Sequence, residues 1–227
     1  MGYIGNSPAL NESVDTAQLA SPLTLAGNLT LGSDADGTDR LLSFGHSTLK
    51  SVIGIDDDQD VFAINTDNAF EAANDIEIDA SGSVTMPKQP AFHVHPTSAQ
   101  SSIATGGVTI VYGTERFDVG SNFASNTFTA PIGGKYFLQV CINLRNVDTA
   151  SDYYVTNLIT SNKTYEFTFD PGMSEDQGDW NAWNWEFSTI ADMDASDTAY
   201  VQLNQESGTS QSNINVAGTW FSGCLVC

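Results

Sequence analysis

Short runs of apolar residues alternate with turn residues along the chain, a pattern typical of β-strands rather than of helices. Before residue 86 these runs are LTLAGNLTLG, DRLLSFG, LKSVIGI, DVFAIN and DIEIDASGSVTM. Isolated hairpins built from strands this short are marginally stable. We therefore expect several copies of the chain to share a core in this region.

A boundary is predicted at residues 86–90 (MPKQP), because two prolines within four residues interrupt a β-ladder. After it the candidate strands become longer and more aromatic, at a spacing typical of a sandwich or jelly roll. The run KYFLQVCINL alternates and places Tyr136, Leu138, Val140, Ile142 and Leu144 on one face of a strand. The residues predicted to face the core of this domain include Phe128, Tyr136, Leu138 and Phe221.

The composition narrows the choice of partners. The 227 residues include 28 acidic and 7 basic side chains, for a formal charge of -21, which disfavours nucleic acid as a partner. No apolar run is long enough to span a membrane. The start, MGYIGNSPALNES, lacks the features of a secretory signal, so we expect synthesis in a cytoplasm. Three cysteines without framework spacing, Cys141, Cys224 and Cys227, are expected to be buried thiols.

The segment ERFDVGSNFASNTFTAPIGGKYFLQV resembles the signature of the complement C1q and tumour-necrosis-factor-like jelly rolls. The residues that carry this resemblance are Phe117, Asp118, residues 128–131, Gly134 and Tyr136, with further support from PAF at 90–92, DMDASDTAYVQL and TWFSGCLV. Leu138 departs from the pattern, because the family has an aromatic residue there. The resemblance implies a trimeric jelly-roll head over residues 89–227.

The N-terminal part resembles bacteriophage tail-fibre and other virion-appendage proteins, on the segments YIGNSPA and SFG…IGIDDDQDVFAI…DIEIDASGSVTMPKQPAF. This second resemblance implies an all-β chain with an attachment segment at 1–25, an intertwined trimeric β-shaft at 26–88 and the jelly-roll head. It also implies a virion protein that assembles in the host cytoplasm. Its expected partners are two further copies of itself, other virion proteins through the N-terminus, and a glycan or protein of the host surface.

Three tryptophans lie close together in DWNAWNWEF. Strand spacing places Trp183, Trp185 and Phe187 on one face, and core packing is the preferred interpretation for Trp185 and Phe187. Indole rings also stack on sugar rings, and carboxylates accept hydrogen bonds from sugar hydroxyls. Trp180 is predicted to lie in an exposed loop. The candidate residues for binding a host glycan are Trp180, Trp183, Glu175, Asp176 and Asp179.

Two groups of residues are candidates for holding a metal ion. His93 and His95 share one face of a predicted strand, and three such pairs on a trimer axis would give six nitrogen ligands for a transition metal. The acidic runs SDADGTD (Asp34, Asp36 and Asp39) and DDDQD (Asp56, Asp57, Asp58 and Asp60) offer oxygen ligands for calcium. Solvated side chains are the preferred interpretation for both groups.

No nucleophile motif, nucleotide-binding loop or spaced carboxylate pair stands out, so an enzyme is not expected. The leading hypothesis is a trimeric phage fibre or appendage whose head mediates adhesion to the host surface. The alternative is a capsid-decoration or head-fibre protein without a receptor role. A glycan depolymerase is a third hypothesis, and it requires a carboxylate pair in a groove.

Overall fold

The structure is a computed structural model, and it describes residues 37–103, 105–173 and 180–227. Over these residues the chain forms β-strands, turns and one 3-10 turn at Pro171–Met173. No helix in this part is long and apolar enough to cross a membrane. The all-β class predicted from the alternation is therefore confirmed.

The N-terminal part forms one antiparallel sheet of five strands, which are hydrogen-bonded in chain order. The strands are β1 (Arg40–Phe44), β2 (Ser51–Asp56), β3 (Val61–Asn65), β4 (Ile76–Ile78) and β5 (Val84–Thr85). They correspond to four of the apolar runs noted above, and the fifth run, LTLAGNLTLG, lies outside the described residues. The turn between β2 and β3 contains Asp60 with a φ of 55°, a conformation that Asp tolerates better than most residues.

One side of this sheet is covered by its own connections. Val52 and Ala63 are buried there, beneath the long loop between β3 and β4. Asn74 of that loop donates a hydrogen bond of 2.9 Å from Nδ2 to Oδ2 of the buried Asp56. Lys88, from the segment after β5, donates one of 2.9 Å to Oδ1 of Asn65. These polar contacts hold the loop and the segment over one face of the sheet.

Two further sheets form the C-terminal part. Their strands are β6 (Ala91–His95), β7 (Val108–Thr109), β8 (Thr114–Asp118), β9 (Phe123–Ala124), β10 (Thr127–Thr129), β11 (Gly134–Val147), β12 (Tyr153–Thr160), β13 (Thr164–Phe169), β14 (Trp180–Met193), β15 (Thr198–Glu206), β16 (Asn213–Ile214) and β17 (Trp220–Leu225). One sheet has the order β14-β11-β17-β6-β8, with β16 paired to β11. The other has the order β13-β12-β15-β10-β9, with β7 paired to β15. Most neighbours in these sheets are far apart in the chain, as in a jelly roll.

The two sheets pack face to face around an aromatic core. Phe92 of β6 stacks on Phe128 of β10 across the sandwich at 4.6 Å between ring centroids, and it meets Phe221 edge-on at 4.9 Å. Phe128, Tyr136, Leu138 and Phe221 are all buried, as the alternation predicted. Tyr136 also donates a hydrogen bond of 2.8 Å from its hydroxyl to the carbonyl oxygen of Ile132. This hydrogen bond ties the corner before β11 to the beginning of that strand.

The expectation for the cysteines is correct for Cys141 and wrong for Cys224 and Cys227, which are exposed. In β17 the alternation directs Phe221 and Gly223 inward and Cys224 outward. Cys227 follows the end of the strand, where its carbonyl oxygen accepts a hydrogen bond of 2.7 Å from the Lys135 backbone N–H. The strand therefore points one thiol outward, and the other lies beyond it.

Candidate functional site

Along one side of the sandwich, here called the open side, the edge strands are β13 in one sheet and β14 in the other, and no backbone hydrogen bonds join them. The apolar residues of β13 alternate in TYEFTF, so Phe167 and Phe169 point towards the interior, as Trp185 does from β14. The rings meet across the gap between the two sheets. Phe167 lies 6.3 Å from Trp185 and 6.0 Å from Phe187, with nearly parallel planes in both pairs. A row of aromatic side chains thus fills the space between the two sheets on this side.

Trp185 is a packing residue, as the sequence predicted. It is buried, and its Nε1 donates a hydrogen bond of 3.0 Å to Oγ1 of Thr156 on β12. Phe187 is half-buried and packs against the core. A buried indole N–H needs such a partner, because an unpaired donor carries a desolvation cost of about 1–3 kcal/mol.

Trp180 and Trp183 lie at the outer end of the row. The Trp183 ring is parallel to that of Phe169 within 9° at 5.2 Å, and the Trp180 ring is 4.8 Å from Trp183. Trp183 is 42% exposed. The three rings form a cluster, the outer aromatic cluster (Phe169, Trp180 and Trp183), that is continuous with the core on one side and open on the other. Flat, exposed rings on a rigid strand are suited to stacking against a ring-shaped ligand.

The predicted position of Trp180 in an exposed loop is wrong. It is the first residue of β14, is half-buried, and is paired with Val147 of β11. Asn146 has a φ of 51°, which interrupts the alternation of β11 near its end, so Val147 is buried although it lies three residues after Leu144. Trp180 is opposite this irregularity, and its ring therefore packs on Phe169 rather than projecting from a loop.

A groove of about 520 Å³ continues along the same open side, between the outer parts of β13 and β14. It is lined by Lys163, Thr164, Tyr165, Glu166, Phe167, Phe187, Ser188 and Thr189. The Lys163 ammonium lies 5.2 Å from the centre of the Tyr165 ring. The hydroxyl, carboxylate and aromatic groups of this groove and the outer aromatic cluster therefore form one strip along the same side of the sandwich.

The other glycan-binding candidates, Glu175, Asp176 and Asp179, lie outside the described residues, in the connection between β13 and β14. The partners of the tryptophans on β13, Phe167 and Phe169, were missed from the sequence. The alternation of TYEFTF was the available signal. It shows that the aromatic residues share a face, but it does not show which strand they meet.

The two histidines lie on the outward side of β6, as predicted, because Phe92 and Val94 take the inward positions. The His93 ring stacks on that of Trp220 at 5.5 Å. Burial lowers the pKa of His93 below its ordinary value of 6.5, and the charges of Arg116 and His95 lower it further. His95 is within 3.2 Å of the Pro96 carbonyl oxygen through Nδ1. A shared metal on an axis requires other copies of the chain, so that site stays a prediction.

The acidic candidates of the N-terminal sheet have different surroundings. Asp56 is buried against Asn74, whereas Asp58 and Asp60 are exposed in the β2–β3 turn. Asp56, Asp58, Asp39 and Glu71 contribute to a pocket of about 260 Å³. Among the described residues, no three His, Cys, Asp or Glu side chains are arranged to hold a metal ion. Asp34 and Asp36 fall outside the described residues.

The order of the strands defines the class of this domain: an all-β, jelly-roll type sandwich with a strip of aromatic, hydroxyl and carboxylate groups along one side. No family model matches the chain, and no curated protein matches it. Among solved structures, the chain is similar to the globular domain of zebrafish complement 1qA protein, with 11% identity over 61% of this chain and 98% of that one, at a TM-score of 0.47. It is also similar to murine APRIL at pH 8.5, with 10% identity over 61% of this chain and all of that one (100%), at a TM-score of 0.43.

Proposed function

We propose that the chain is a structural subunit of a bacteriophage virion, a homotrimeric fibre or appendage whose C-terminal head adheres to a glycan of the host surface. The observation that carries the adhesive role is the outer aromatic cluster, in which Trp183 is exposed while Phe169 and Trp180 hold its ring. The phage assignment rests on the sequence resemblance of the N-terminal segments.

The neighbouring groove supports a neutral, hydroxyl-rich ligand. Its Glu166, Ser188 and Thr189 side chains can accept hydrogen bonds from hydroxyl groups. The net charge of -21 opposes the approach of an anionic polymer. A neutral polysaccharide combines flat apolar ring faces for the tryptophans with hydroxyl donors for these side chains.

The homotrimer is supported by the outward face of the sheet that contains β6 and β17. Phe117 is 51% exposed on this face, His93 is its partner on β6, and the half-exposed Trp220 ring stacks on His93. Exposed aromatic residues that lie together mark interaction surfaces more often than isolated ones do. These rings give copies of the chain apolar area at which they can meet.

The test of adhesion uses the full chain on an array of bacterial surface polysaccharides. We expect binding to at least one neutral polysaccharide, and we expect Trp183→Ala to weaken it about five-fold or more, because a stacked ring contributes about 1 kcal/mol or more. Ile190→Ala is the matched control, since Ile190 is also exposed on β14 but points away from the cluster. It should leave binding unchanged. Trp183→Ala also loses ring contacts to Phe169 and Trp180, so circular dichroism at the assay temperature checks that both variants are folded.

Two other results would favour the alternatives. No binding by a correctly assembled trimer, together with capsid labelling in micrographs of antibody-decorated particles, would favour a capsid-decoration protein. Shortening of a bound polysaccharide during incubation would favour a glycan depolymerase. Binding that EDTA abolishes and calcium restores would indicate a calcium ion at the adhesive site, with the acidic residues 175, 176 and 179 as its candidate ligands.

A further inference from the structure

The N-terminal sheet has one face that consists almost entirely of apolar side chains. Opposed residues of an antiparallel pair lie on the same face, and the register aligns two rows across the sheet. The residues of this open face are Leu42, Ile53, Ile64 and Ile76 in one row, Ile55, Phe62, Ile78 and Val84 in the other, and Phe44 at the end of β1. Arg40 and Ser51 complete its edge.

Nothing in the described part of the chain covers this face. None of its nine apolar residues is buried, and Phe44 and Val84 are 58% and 59% exposed. The other side of the same sheet differs sharply, because the β3–β4 loop and Lys88 cover it and bury Val52 and Ala63. Within the described residues, the open face is therefore a sheet surface without a second layer.

A β-sheet with one apolar face is stable only when that face packs against another layer. The 21 residues of the five strands, at roughly 3.3 Å per residue and 4.8 Å between strands, give a flat area of roughly 330 Å². This is less than half of the ~800 Å² that each partner buries in a stable complex. The aromatic outward face of the head can supply the remaining area in the same assembly.

The charge of the chain indicates which partner fits. A protein with a net charge of -21 repels its own copies over most of its surface. The open face contains no carboxylate, whereas Asp56 and Glu77 have the other orientation in the same strands. Copies that meet through the open face therefore bury apolar side chains while their acidic groups stay apart.

We propose that the open face of the N-terminal sheet is the surface through which copies of this chain join, packing against the same sheet of a neighbouring copy. This inference rests on the homotrimer proposed above, and it assigns part of the trimer contact to nine named residues. The head is then joined to a stem in which the sheets of the copies supply each other's missing layer.

The test is photo-cross-linking of the full chain with Phe62→p-benzoylphenylalanine, a residue that forms a covalent bond to a nearby C–H group under near-ultraviolet light. Phe62 is 39% exposed in the single chain, and Val111 of the head, at 48%, is the matched control position. Phe44→p-benzoylphenylalanine repeats the test at the edge of the open face. Linked products are measured on denaturing gels, and the captured peptides are identified by mass spectrometry.

We expect covalent dimers from positions 62 and 44 at least ten times more abundant than from position 111, with the captured residues between 40 and 85. Dimers no more abundant than those of the Val111 control would overturn the inference. Capture of residues 1–36, or of the head, would also overturn it, because another segment would then cover the face.

Light scattering separates this inference from the proposed function. A mass of three times 24.3 kDa without cross-links from position 62 would keep the homotrimer and reject the open face as its contact. A mass of 24.3 kDa would reject both the homotrimer and the contact. The polysaccharide array reports adhesion by the head independently of either result.

Discussion

A hydrogen bond of 3.0 Å from Nε1 of Trp185 to Oγ1 of Thr156 connects the two sheets of the head. Both residues are buried, and Thr156 is on β12 while Trp185 is on the edge strand β14. The bond fixes the tryptophan from which the aromatic row extends outward. The position of the exposed Trp183, two residues earlier on the same strand, depends on that anchor.

Replacing Thr156 by valine removes the acceptor and keeps the shape of the side chain. We expect Thr156→Val to lower the free energy of unfolding by about 1–3 kcal/mol, because the indole N–H is left buried and unpaired. Thr168→Val on β13, which changes the same side chain at an exposed position, is the control and should stay within about 0.5 kcal/mol of the native chain. Thermal unfolding at one fixed protein concentration measures both; equal melting temperatures for the two variants would contradict the role of the bond.

Phe221 lies at the centre of the core, edge-on to Phe92 and Phe123. Phe221→Ala should destabilise the head by about 3–5 kcal/mol, through lost burial and the cavity that remains. Val111→Ala removes apolar atoms from an exposed position of the same domain and should have a much smaller effect. Urea unfolding followed by tryptophan fluorescence compares the two variants. An unchanged midpoint for Phe221→Ala would mean that the strand assignment is wrong.

The lowered pKa of His93 makes part of the stability depend on pH. Burial against Trp220, together with the charges of Arg116 and His95, favours the neutral ring in the folded state. The unfolded chain therefore binds more protons near this pKa, so the contribution is fully present above about pH 6.5 and is lost as the pH falls through the folded-state value.

We expect the melting temperature to fall between pH 7.5 and pH 5, and His93→Gln to reduce that fall because glutamine does not titrate. The measurement is the difference between the two proteins across the pH range, since carboxylates contribute to both. If the two curves stay parallel, protonation of His93 does not affect folding.

Local patterns were sufficient for the strands and their faces, because alternation with a period of two needs no knowledge of the partner strand. The inward residues of β11, such as Tyr136 and Leu138, were predicted in this way. The position of Trp180 was not, since it depends on Asn146 interrupting the neighbouring strand. The meeting of Phe169 with Trp183 depends on β13 and β14 ending different sheets on the same side, and a single sequence does not show such long-range geometry.

The exposure of Cys224 is a mistake of another kind. The preference of free thiols for the interior is an average over proteins, whereas the alternation of β17 directs this position outward. The alternation of TWFSGCLV places Phe221 and Cys224 on opposite faces. At this position the local pattern is more informative than the average preference.

The last strand of the head, β17, lies between β11 and β6 and joins them into one sheet. During synthesis, β6 leaves the ribosome about 130 residues before β17. The pairing of β6 with β17 therefore forms only after nearly the whole domain has been synthesised. A transcript that stops before codon 220 would release a product in which Phe92 has lost Phe221, with two exposed strand edges that invite aggregation. A chain that lacks β17 therefore lacks the strand that joins β6 to β11, and the core of its head stays incomplete.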